Sequence, residues 1–190
     1  MKKTLSPFSE EISDKLVLPY LITFILIVIG GFSITSSIDN VNILLIIYSS
    51  TLIICSSLEL FFNLSNINYI PHPKWSICFN IITYILAVLL ISEPTIEIEI
   101  LGFYIGLYII FKTFISINHG ISYYQVSPYF GKVMLLLGFL MLVFSSLLIW
   151  TPSAMKIFYP GLIGVSFVLT GFYTYSNYKI IKNLNSLKKN

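Results

Sequence analysis

The chain contains no arginine. Only 10% of its 190 residues are charged, and the net charge is +3. A soluble domain carries about 25% charged residues. Groove and phosphate recognition draw on clustered Arg and Lys, so nucleic acid is not an expected partner. Cysteine is almost absent as well. The two present, Cys55 and Cys78, fall inside apolar runs with no CxxC or metal-ligand spacing, which argues against a disulfide framework or a metal centre. There is no nucleophile elbow, no HExxH, no phosphate-cradling glycine loop and no intramembrane His or Asp cluster. These absences predict a protein without enzymatic activity and without a cofactor.

What the chain has instead is hydrophobic length: 56% of its residues are hydrophobic. A water-soluble fold of this size would leave large apolar patches in water. The runs are also too long for core strands. The clearest pair spans residues 131–150 and 158–178, joined at Thr151-Pro152. Crossing a bilayer core takes about 20 helical residues. The whole chain reads as one all-α membrane domain of six transmembrane helices, over 16–35, 41–64, 74–92, 95–118, 131–150 and 153–178. The first run exceeds the roughly 7–15 residues of a signal-peptide core, so it reads as an uncleaved membrane helix. Pro160, inside the sixth run, either kinks that helix or marks its true start.

Lysine placement predicts orientation. With both termini and the two long polar loops (65–73 and 119–130) on one side, ten of the eleven lysines share that side. The other side keeps Lys156 with Asp39, Glu93, Glu97 and Glu99. By the positive-inside rule both termini are expected in the cytoplasm. The basic tail 179–190 is a stop-transfer flank or a contact for anionic lipid.

Shifting the chain on itself by 57–58 residues aligns Pro94 with Pro152, Gly106 with Gly164 and Phe114 with Phe172. Each even helix then carries two small residues seven apart: Ser49 and Ser56, Gly106 and Thr113, Gly164 and Gly171. Seven residues is nearly two turns, so each pair lies on one face, where small side chains let helices approach closely in lipid. The reading is an internal triplication: three helical hairpins of the same orientation.

These residues resemble a known family. The three same-sense hairpins, the turns at Glu93-Pro94 and Thr151-Pro152, and above all Gly131, Gly138, Pro152, Gly164 and Gly171-Phe172 are similar to the HdeD family of small bacterial membrane proteins. The first hairpin departs from that pattern, with no turn proline and Ser49 and Ser56 in place of glycines. The resemblance implies six helices in a bacterial inner membrane and a link to acid resistance or stress. It carries no active-site residues.

Glu59, Lys112 and Asn80 are the candidate polar residues within predicted spans. Glu59 and Lys112 lie about one turn or more inside helices two and four, at similar depth, where an interhelical pair is reasonable. Such residues are costly in lipid and often functional, though near an interface they also serve as helix glue or snorkel to the headgroups. Asn80, aligned with Gly138, is expected to hydrogen-bond a neighbouring helix. His72 and His119 are assigned to loops as surface residues. Glu97 and Glu99 are assigned to helix-dipole pairing, with external proton or cation sensing as the sharper alternative.

Three functions follow from this sequence. The first is a non-enzymatic HdeD-like membrane protein acting through packing, lipid or partner contacts. The second is a small transporter or channel using Glu59 and Lys112. The third is an accessory subunit of a membrane complex. Homo-oligomers are open to the same small-residue faces.

Overall fold

The computed structural model describes residues 17–36, 41–68, 70–92, 97–150 and 157–187. The first sixteen residues, the turns at Glu93-Pro94 and Thr151-Pro152, and Asp39, Lys156, Lys188 and Lys189 lie outside them.

The described residues form six α-helices and no strand: α1 Val17–Thr35, α2 Val41–Ser65, α3 Pro73–Ser92, α4 Ile98–Tyr124, α5 Pro128–Trp150 and α6 Tyr159–Leu187. Helix is what these runs require, because lipid leaves each backbone group to find its partner inside its own segment. Helices α3, α5 and α6 each carry a proline in their first turn. Pro73 and Pro128 open α3 and α5, and Pro160 is the second residue of α6. The first turn tolerates proline because its N–H groups have no helical partner. Pro160 therefore marks a start and not a kink. Hydroxyls help finish α1, where Thr35 and Ser36 both donate to the Phe32 carbonyl, at 2.9 and 2.8 Å.

The helix ends differ from the sequence reading in two places. Helix α4 runs on to Tyr124, so His119 is helical and only residues 125–127 connect it to α5. Helix α6 continues to Leu187. Both extensions are polar or tyrosine-rich, which resembles loop composition. Yet Ser116, His119, Gly120 and Tyr123 are all buried. Their spacing is that of one helical face.

Helices α1 to α5 are each long and apolar enough to cross a membrane. They mark the chain as a multi-pass membrane protein. Helix α6 is the exception, its second half carrying Tyr173, Tyr175, Asn177, Tyr178 and Lys179. Outward faces are apolar on every helix: Phe24, Ile46, Leu89, Phe114, Phe139 and Phe172 are all exposed. In water this belt would be an aggregation surface, whereas in lipid it is the required exterior.

The helices close into a ring. Each packs on its sequence neighbours, α6 returns to α1, and α4 also reaches α6 across the middle. The closest associations are α4 with α5, α1 with α6, and α2 with α3. Small residues explain the approach at α1–α6. A Cβ on Gly164 would sit 2.5 Å from the Gly30 carbonyl oxygen, and one on Gly30 would sit 2.7 Å from the Gly164 oxygen. Only hydrogen at both positions lets the two backbones touch. Each close pair also has an interhelical hydrogen bond. Ser33 Oγ donates to the Pro160 carbonyl at 2.6 Å, Asn63 Nδ2 to Ser76 Oγ at 2.8 Å, and Ser116 Oγ to the Met134 carbonyl at 2.8 Å.

Buried positions recur at fixed offsets. Pro19, Thr23, Leu26, Gly30 and Ser33 of α1 lead, 57 residues on, to Ser76, Asn80, Thr83, Ala87 and Leu90 of α3. A further 58 residues lead to Met134, Gly138, Met141, Ser145 and Leu148 of α5. All fifteen are buried. On the even helices the same offsets carry Ser49, Leu52, Cys55, Ser56 and Glu59 to Gly106, Ile109, Lys112, Thr113 and Ser116. They then reach Gly164, Phe167, Thr170, Gly171 and Thr174, again all buried.

Candidate functional site: a buried charge pair at one end of the bundle

Three helices each supply one polar group to a single point. Glu59 comes from α2, Lys112 from α4 and Asn80 from α3. The Lys112 ammonium donates to Glu59 Oε2 and to Asn80 Oδ1, the latter at 3.0 Å. It also lies 5.6 Å from the ring centroid of Tyr108, one turn earlier on its own helix. The site is dry on most sides: Glu59 is 8% exposed and Lys112 3%. A lone buried charge in such surroundings is strongly unfavourable, and a pair persists only where further hydrogen bonds complete it. The Asn80 carbonyl and the Tyr108 ring complete the ammonium. The Asn80 Nδ2 and the Tyr108 hydroxyl are themselves buried with no hydrogen-bond partner.

A cavity of about 30 Å³ reaches this pair. Glu59 and Lys112 line it together with Asn63, Ser76, Thr174 and Tyr178. It lies toward the end of the bundle where α2 finishes and α3 begins. Glu59 is six residues before the end of α2, which puts it roughly 9 Å below that end at 1.5 Å per residue. On the far side the axis is lined by apolar side chains. Leu52, Ile105, Ile109, Ile163 and Phe167 are all essentially inaccessible, and the Tyr48 and Tyr108 rings meet Phe167 edge-on at 5.6 and 6.4 Å.

A second polar cluster stands nearer the same end. His119, whose neighbours have the composition of a surface loop, is instead 2% exposed within α4. Its Nε2 is 3.1 Å from the Pro71 carbonyl and its Nδ1 is 3.3 Å from the Tyr173 hydroxyl. A carbonyl only accepts, so Nε2 carries the proton and Nδ1 accepts from Tyr173. Tyr123 donates to Asn177 Oδ1 at 2.8 Å beside it. This cluster ties α4 and α6 to the α2–α3 connection. There, His72 is exposed and holds a positive φ of 50° between Pro71 and Pro73.

The remaining sequence candidates fall into two groups. Ser49, Ser56, Gly106, Thr113, Gly164 and Gly171 are all buried. Gly106 faces Leu148 and Ile149 of α5, and Gly164 and Gly171 face α1. Glu97 precedes α4 and Glu99 sits in its first turn, at the opposite end from the cavity. Cys55 is buried and Cys78 exposed. Among the described residues no three metal-ligating side chains gather.

Comparison with known proteins identifies no relative. No family model, no curated protein and no solved structure matches the chain.

Proposed function

We propose that this is a non-enzymatic integral membrane protein of the HdeD-like type, built from three hairpins of one orientation. It would sit in a bacterial inner membrane with both termini cytoplasmic and act through packing, lipid or partner contacts. The observation that carries this reading is the recurrence of buried positions at offsets of 57 and 58 on odd and even helices alike. The same two offsets serve the odd and the even helices, which supports a repeated unit. The three close interfaces support it further, since each joins the second helix of one hairpin to the first helix of the next around the ring. The HdeD likeness itself, and with it any role in acid or other stress, rests on the sequence resemblance. Topology reporters test the orientation. Fusions at both termini should report one side of the membrane, and fusions in the 37–40 and 93–96 segments the other. Termini on opposite sides would overturn the reading.

A second reading is a small transporter or channel with its polar site at Glu59 and Lys112. The cavity reaching both residues favours it. Loss of solute flux in a folded E59Q variant would support this reading, and unchanged flux would remove it.

A further inference from the structure

As an alternative to transport at the Glu59–Lys112 site, we propose that the cavity is a one-sided vestibule delivering water and protons to the ion pair. Size limits what can enter. One water needs about 10–15 Å³ of free cavity volume, so about 30 Å³ takes roughly two. A hydrated metal ion or an organic solute does not fit. A proton moving along hydrogen-bonded water does.

The walls suit water. Tyr178 lines the cavity, with the Tyr20 ring of α1 packed edge-on against it at 5.0 Å. Asn63, Ser76 and Thr174 add polar surface. Beyond the pair stand the buried apolar side chains of Leu52, Ile109 and Phe167.

The groups facing the pair are few. Cys55 lies one turn from Glu59 on α2, Tyr108 lies on α4, and Tyr173 and Tyr178 reach the cavity from α6. The walls from α1 (Pro19, Ile22) and α3 (Ser76, Asn80) carry no titratable side chain. His119 is already engaged by Pro71 and Tyr173. Glu59 is thus the carboxylate that takes up a proton. Hydronium in the vestibule transfers it to the carboxylate and is left as water. Lys112 keeps its three N–H bonds and is left as the unpaired charge, held by Asn80 Oδ1, the Tyr108 ring and the water of the vestibule.

The test is infrared difference spectroscopy of the full chain in liposomes, stepped from neutral to acid pH in H₂O and in D₂O. The expected result is a protonated-carboxyl band that E59Q lacks and that shifts in D₂O within seconds. An absent Glu59-dependent band, or one unshifted after hours, would overturn the proposal. If E59Q does not insert, Glu59→Asp gives the assignment by moving the band. A pH-sensitive dye trapped in the same liposomes separates the two claims. Exchange with no proton leak supports the closed vestibule and removes the transport reading. A leak that E59Q abolishes overturns the closed end and supports transport.

Discussion

The two ends of the bundle axis share a scaffold and differ in what they bury. At one end stand Glu59, Lys112, Asn80 and a water-sized cavity. Further along the axis, toward the other end, stand Leu52, Ile105, Ile109, Ile163 and Phe167, all buried. The positions correspond across the three even helices, so backbone geometry does not make the difference. Lys112 occupies the position held by Cys55 and Thr170, and Glu59 the position of Ser116 and Thr174. Neutral residues fill four of those six places, and the two charges appear once each. The comparison teaches that packing is the repeated device in this molecule and charge the local departure from it.

The largest effect expected from breaking this contrast is at Lys112. Lys112→Met leaves the Glu59 carboxylate buried and unpaired, which typically costs about 3–5 kcal/mol. Unfolding in detergent should register that loss, and E59Q/K112M should recover most of it. A cost near zero for the single variant would mean the pair is not buried as described. Next comes the packed framework. Gly164→Leu forces apart the α1–α6 contact, where overpacking costs about 1–3 kcal/mol. Gly161→Ala, three residues away with open space around it, should change stability by less than about 0.5 kcal/mol. Equal effects at the two glycines would remove the close-approach account. The smallest measurable effect is expected at Asn63→Ala, which loses the bond to Ser76 across α2–α3. Interhelical bonds of this kind average about 0.6 kcal/mol in membranes, and a thermal-shift series resolves that against Gly161→Ala.

Much of this was legible in the sequence because lipid simplifies the code. Apolar length gives the spans, and the small residues mark where α6 meets α1. Glu59 and Lys112 stand out because charge is rare in a span. Their meeting point with Asn80 was not legible, since it depends on the relative rotation of three helices that are apolar on nearly all faces. His119 was misplaced for a different reason. Its neighbours Ser122, Tyr123 and Tyr124 have loop-like composition, and the helical spacing of Ser116, His119, Gly120 and Tyr123 was the missed signal. Pro160 left two options open, and its place in the first turn of α6 selects the start over the kink.

Hydroxyl-radical footprinting of the intact protein in lipid nanodiscs tests the contrast most directly, because it oxidises side chains beside ordered water wherever they are buried. The account predicts oxidation of Tyr178 and Phe62 at the cavity, with Tyr48 and Phe167 protected in the same sample. Oxidation of Tyr48 and Phe167 to the same extent, or protection of all four, would contradict it.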